Sequence, residues 1–424
     1  MDTANDWKST FRITLKRLFR PLGLIYIGVL TLLMGLLSIW LNWMELSPSF
    51  AEHFPYLCLY LALGLPVCTF GVRFDEGKVL GTCVAYLMFH VISCVALLPF
   101  IAIASLNIVS ICAWFGFLLT GICLMSLCLG LNAWIKNKYI ALITSLIVLA
   151  VCREVPELIE PLTLFPQGIP IARTLIELSP FNIMTPFING IFDVSSLSYA
   201  LAIIGFFLAV ICVKPARLTA FLGFIACCVA LFFVPKSIAH IDCTPQHLVT
   251  IDEYMASVLT MLDRDITIYQ VAPVGVEDIW MQSYLSKISE RHRHIGYETV
   301  APIQNKSIEE LGLPDNTLII ELDEEWFILR PEQIHFQTEE NPPRYLYALQ
   351  GALLAALEEA TQITFTYWSE PTTWDMTIIP LDISDTALRP RVIGCVLYPC
   401  TYFALALGIA IKNKRRNTKE NTAK

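Results

Sequence analysis

GVRFDEGKVLGT, residues 71–82, is a short charged island between two long apolar runs. PYLCLYLALGLPVCTF (55–70) precedes it, and CVAYLMFHVISCVALLPFIAIA (83–104), which holds no charged residue, follows it. An Asp, Lys or Arg at the centre of a bilayer costs about 3 kcal/mol. Charge in so short a connection therefore belongs at a membrane surface, and the flanking runs read as helices that cross.

Composition extends that reading to most of the chain. The 424 residues are 55% hydrophobic and 16% charged, with a mean hydropathy of +0.60. Soluble domains carry about 25% charged residues. The expected fold class is a polytopic α-helical membrane protein of about eight spans with an inserted extracytoplasmic α/β domain. The spans are placed at 22–43, 55–72, 83–104, 108–131, 139–152, 197–213, 218–235 and 392–411, each to be compared with the roughly 20 residues a bilayer requires.

Charge is unevenly divided. Between Lys236 and Arg391 there are 25 acidic and 10 basic residues, against 12 and 19 in the remainder. The acidic block reads as a separate soluble domain, the basic remainder as the part that borders a membrane, and neither suggests nucleic acid binding. The domains expected are a cytoplasmic amphipathic helix (1–21), a membrane domain of seven spans (22–235), the α/β domain (236–391), a last span (392–411) and a basic cytoplasmic tail (412–424). The amino terminus has too long a basic segment and too long an apolar run for a cleaved signal.

NDWKSTFRITLKRLFR (5–20) has the amphipathic period of a helix: Trp7, Phe11, Leu15, Leu18 and Phe19 share one face, and Lys8, Arg12, Lys16 and Arg20 form another row. Such a helix suits an anionic lipid surface. Its basic residues, with Arg17, lie on the same predicted side as Arg73 and Lys78, Lys136 and Lys138, Lys214 and Arg217, and the tail. The opposite connections before the acidic block hold only Arg153 and Arg173. The positive-inside rule then places both termini in the cytoplasm and residues 237–390 outside.

In the outside block, helices are expected at 253–262 (capped by Asp252), 276–291 (with Ile279, Tyr284, Leu285 and Ile288 inward) and 343–362. Strands are expected at 265–272, 295–301, 317–322, 325–330 and 363–368, forming a partly parallel sheet. Asp323-Glu324-Glu325 reads as a hairpin turn facing water, and His292-Arg293-His294 as solvated. Trp326, Tyr345, Tyr347, Tyr367, Trp368 and Trp374 read mostly as core. His90 reads as a packed residue inside a span. Gly116, Gly121 and Gly130 suit close helix approach. Gly190 reads as a helix C-cap, and Asp193 or Ser195 as an N-cap.

Thirteen of the 14 cysteines lie in apolar runs or at their ends and read as small hydrophobes. There is no G-x-x-x-x-G-K-S/T loop, no H-E-x-x-H, no G-x-S-x-G and no C-x-x-C. The chain is not expected to hydrolyse ATP, act as an enzyme, or hold a cofactor or metal.

Several segments resemble type-2 ABC transporter permeases in their order. A proline-containing run followed by Arg73-Phe74-x-Glu76-x-Lys78-x-x-Gly81-Thr82 is similar to the cytoplasmic elbow of that family, departing from it at Gly77, where a charge is usual. TLKRLFRPLGLIYIGVLTLLMGLL (14–37) resembles its opening, a basic helix running through a proline into the first span. Lys136, Asn137 and Ala141 match a polar turn between spans, and SPFNIMTPFINGIFDVSSLSYALAIIGFF (179–207) resembles the approach to its sixth span. In the acidic block, Thr250-Ile251-Asp252, a helix running through Leu259 to Asp263, the strand DITIY (265–269) and LQGALLAALEEATQ (349–362) resemble the GldG-like auxiliary proteins of gliding-motility ABC systems, in shortened form.

The resemblance implies a GldF-like permease fused to a shortened GldG-like domain, in a bacterial cytoplasmic membrane and working in export. It implies a separate cytoplasmic ABC ATPase carrying ATP and Mg, and a second permease copy or related permease. It assigns ATPase coupling to Arg73, Asp75, Glu76, Lys78, Gly81 and Thr82, with Lys8, Arg12, Lys16 and Arg17 on the first helix. Gly81 is expected to let the chain turn sharply into the third span, at a place where a side chain would clash. A second reading is a membrane-anchored extracytoplasmic receptor or assembly scaffold without transport.

Overall fold

The computed structural model describes residues 3–19, 21–43, 54–72, 74, 79–98, 108–212, 240–244, 247–251, 253–337, 345–363 and 372–374. The expected spans at 218–235 and 392–411, the tail, Asp252 and all but the first residue of the expected strand 363–368 lie outside the described residues.

Helix α1 (Thr3–Leu18) is followed at once by α2 (Pro21–Trp43), with Pro21 at the first helical position, where its missing N–H costs nothing. Helices α3 (Phe54–Cys68) and α4 (Val79–Val95) flank the charged island. Next come α5 (Ile108–Trp134) and α6 (Lys138–Arg153). The turn between them is fixed by Asn137, whose side chain accepts from the backbone N–H of Tyr139 at 3.0 Å and of Ile140 at 3.4 Å. Most described residues are helical, and among them α5 is the one helix long and apolar enough by itself to cross a membrane.

α5 is the hub of the bundle, since its small residues admit neighbouring side chains. A β-carbon on Gly116 would strike Phe187, one on Gly121 the ring of His90, and one on Gly130 the ring of Phe207. The close approach expected at these glycines is present. His90 is fully buried, as expected of a packed residue, with its Nε2 3.3 Å from Cys94 Sγ.

After α6 the prolines break the chain into short helical pieces, of which α7 (Ile169–Leu178) is the longest. Gly190 follows a short turn of helix with φ +75°, the left-handed residue expected there. Strand β1 (Ile191–Asp193) leads into α8 (Val194–Cys212), and the Asp193 carboxylate caps that helix by accepting from the N–H of Ser196 at 2.9 Å. β1 pairs antiparallel with β2 (His240–Asp242), so the first strand of the acidic block is tied to the connection before α8.

The acidic block is an α/β unit, as expected. Helix α9 (Glu253–Met261), β3 (Ile266–Val271), α10 (Ile279–Arg291), β4 (Ile295–Val300), β5 (Thr317–Leu322) and β6 (Glu325–Leu329) follow in turn. The sheet order is β4-β3-β5-β6, with β3 and β4 parallel and the other two pairs antiparallel. A right-handed crossover helix between parallel neighbours is what the strand–helix–strand pattern dictates. Asp323 and Glu324 both have positive φ, 50° and 69°, as a two-residue hairpin turn requires, and both face water. β7 (His335–Gln337), β8 (Tyr345–Tyr347) and β9 (Thr372–Trp374) make a second small antiparallel sheet, and α11 (Leu349–Thr361) covers the core.

Several expectations are corrected. Residues 345–347, expected to open the last helix, are strand β8; the helix starts at Leu349 because the backbone of 345–347 is taken up by pairing with β7 and β9. α10 starts at Ile279 rather than near 276, because the Asp278 side chain accepts from the N–H of Trp280 and Met281 and so fixes the first turn. Ile279 is half-buried, and Met281 takes the inward position instead. His292 and His294 are half-buried, and His294 Nδ1 meets Asp265 at 2.8 Å. Among the expected core aromatics, Tyr347 is buried and Trp326 half-buried; Tyr367 and Trp368 lie outside the described residues.

Candidate coupling surface

The first helix lies across the start of α4. A β-carbon at residue 81 would come 2.5 Å from the Trp7 carbonyl oxygen, 3.0 Å from the Phe11 nitrogen and 3.0 Å from Thr10 Cβ. Only glycine permits that approach. The clash expected of a side chain at Gly81 is present, but the expected turn is corrected: Gly81 stands within α4, and its missing side chain makes room for the backbone of α1. Thr10 and Thr82 are buried in the same contact. Phe11, Leu15, Leu18 and Phe19 join the main apolar core, where Phe19 meets Phe89 edge-on at 5.5 Å.

With that face fixed, the basic residues are forced outward. Lys8, Arg12, Lys16 and Arg17 are all exposed. Among the described side chains of α1 to α6 there is no Asp or Glu. The row thus presents exposed positive charge on a helix packed against the bundle.

Two further segments reach the same end. Phe70, just past α3, and Tyr139, at the start of α6, lie 5.6 Å apart, with the Lys138 ammonium 5.6 Å from the first ring and 4.9 Å from the second. Asn132 donates to Thr69 Oγ1 at 3.4 Å and to the Cys128 carbonyl at 2.9 Å, holding α5 to the end of α3. Lys136 is exposed beside them. Val72, Phe74 and Val79 pack against the core, so the ends of the island are anchored. Arg73, Asp75, Glu76 and Lys78, together with Arg20, lie outside the described residues.

The α/β unit sits at the opposite end. Trp280 Nε1 donates to the Asn189 carbonyl at 2.9 Å, and Arg173 donates to the Thr299 carbonyl at 3.2 Å with Glu277 3.8 Å away. Inside the unit, Lys287 donates to the Val249 carbonyl at 2.7 Å; burial lowers its pKa below the usual lysine value. Among the described residues no group of three or more His, Cys, Asp or Glu is placed to hold a metal.

The sequence pattern identified the basic row but not what braces it. Trp7 against Gly81, Asn132 against Thr69 and Lys138 over Phe70 join residues far apart in the chain. The polar Asn132 at the end of an otherwise apolar run was the one available signal. No protein family, curated protein or solved structure matches the chain.

Proposed function

We propose that this chain is the membrane permease subunit of an ABC exporter, driven by a separate cytoplasmic ATPase and carrying a fused extracytoplasmic accessory domain. The observation that carries the reading is the exposed basic row of α1, on a helix in backbone contact with α4. Supporting it, the island and the 132–139 turn gather at that end, while the α/β unit occupies the other. In this reading the apolar helices, with the runs at 218–235 and 392–411, make about eight spans, and exposed Ile143 and Ile147 face lipid.

The work of the chain is mechanical. An acidic surface on the ATPase docks on Lys8, Arg12, Lys16 and Arg17 and on Arg73 and Lys78 of the island, while Asp75 and Glu76 meet basic groups beside it; Thr82, buried between α1 and α4, supports the contact from within. Charge complementarity sets the orientation of such a contact. Closure of the ATPase around ATP displaces α1, and the Trp7–Gly81 contact passes the displacement to α4 as a rigid body. α4 bears on α5 through His90 and Gly121, and a second permease copy completes the pathway.

Affinity purification of the tagged chain from its own membrane tests this. A co-purifying Walker-type ATPase is expected, and it should be lost when Lys8, Arg12, Lys16 and Arg17 are all changed to Glu. A preparation that never carries an ATPase refutes the reading and favours a receptor or scaffold.

A further inference from the structure

Between α2 and α3, open to the outside of the bundle, runs a crevice of about 1170 Å³. Its walls are apolar: Ile25, Val29 and Leu33 on one side, Leu59, Leu63 and Val67 on the other. Within it Tyr26 lies against Gly64, where a β-carbon would meet the Tyr26 ring at 2.7 Å. Tyr26 is only 6% exposed, and its ring packs on that of Tyr60 with centroids 4.9 Å apart. One end of the crevice is closed by α1, which contributes the exposed Arg17 and the hydroxyl-bearing Thr14.

Its dimensions match one leaflet of a bilayer. From Gly23 to Leu33 the wall rises about 15 Å at 1.5 Å per residue, half of a hydrocarbon core ~30 Å thick. A cation at the surface and an apolar slot one leaflet deep are complementary to a phosphate carrying an acyl chain.

We propose that this crevice is a binding site for an anionic phospholipid of the leaflet on the α1 side, its phosphate on Arg17 and an acyl chain between Val29 and Leu63. The inference rests on the membrane placement of these helices and not on ATP-driven transport.

The test uses the full chain in nanodiscs containing a phosphatidylglycerol or a phosphatidylcholine with a photoactivatable acyl chain, with adducts mapped by mass spectrometry. Phosphatidylglycerol should label the Val29 and Leu63 walls about fivefold more than phosphatidylcholine, equivalent to ~1 kcal/mol for one basic residue at the surface. Ile143 and Ile147, exposed on α6, should label equally with both. Arg17→Gln should abolish the preference, and Leu63→Trp should remove crevice adducts with either lipid. Equal labelling of the crevice by both lipids, or a preference that survives Arg17→Gln, overturns the site. So does cross-linking of two copies through Val29→Cys. Adducts on α6 without adducts in the crevice overturn the site but leave the membrane placement standing; adducts at neither place overturn both.

Discussion

Trp7 and Gly81 are in backbone contact: the carbonyl oxygen of one lies where the β-carbon of any other residue at the second position would come within 2.5 Å. The neighbouring obstacles are the Phe11 nitrogen and Thr10 Cβ, neither of which can rotate away. Gly81→Val should therefore push α1 off α4. Forcing extra carbons into a packed contact costs about 1–3 kcal/mol. We expect a lower thermal unfolding midpoint, faster amide exchange in α1, and reduced ATPase co-purification, with Gly81→Ala intermediate. Wild-type exchange in α1 of Gly81→Val would remove the contact from the proposed coupling route.

Sidedness is tested at two positions that differ little in accessibility. Lys306 and Lys136 are both exposed, so an engineered cysteine at either should react once a reagent reaches it. In intact cells an impermeant maleimide should label Lys306→Cys and spare Lys136→Cys, with both labelled after lysis. The reverse pattern would invert the topology and take the ATPase-docking assignment with it.

What the sequence made legible follows the range of the forces involved. The apolar runs became α2 to α6 because their length and composition are local properties, and the Asp323-Glu324 turn was readable because strands of the right period flank it directly. Tyr345-Leu346-Tyr347 was misread because it runs without a break into a helical pattern; only pairing with two distant strands shows it to be β8. The β1–β2 pair is equally non-local. At the site, the outward row of α1 followed from its period. The use of Gly81 did not, since it depends on where α1 folds back.

The α/β unit is held to the bundle by a few polar contacts, and the most exacting is that from Trp280 Nε1 to the Asn189 carbonyl. Trp280→Phe keeps an aromatic ring beside Tyr347, whose centroid is 5.8 Å away, and removes the donor. A hydrogen bond of this kind contributes about 1 kcal/mol net. Amide exchange in residues 189–193 should rise roughly fivefold, while β3 to β6 stay protected. Unchanged exchange at 189–193 would mean that the β1–β2 pairing and Arg173 suffice to hold the unit.

Alkaline pH should separate two groups of the α/β unit whose pKa shifts run in opposite directions. Tyr269 donates to Glu321 Oε2 at 2.8 Å, and that bond, with some burial and the nearby carboxylates, pushes its phenol from 10.0 up to about 12. The folded state thus keeps a proton that the unfolded chain releases. The stabilisation is complete below pH 10.0 and is lost as pH rises toward about 12. Lys287, whose pKa is lowered by burial, acts oppositely: the folded state sheds its proton first, so stability rises with pH in the window below the ordinary lysine value of 10.5. Comparing wild type with Tyr269→Phe isolates the first effect, because Lys287 is common to both. At neutral pH the variant should be less stable by about 1 kcal/mol or less, since Glu321 keeps its bond from Trp326. Amide exchange of β3 and β5, followed from neutral pH to about 12, should show a gap that is constant below 10.0 and closes above it. A gap independent of pH across that interval would show that the phenol proton contributes nothing to holding the sheet.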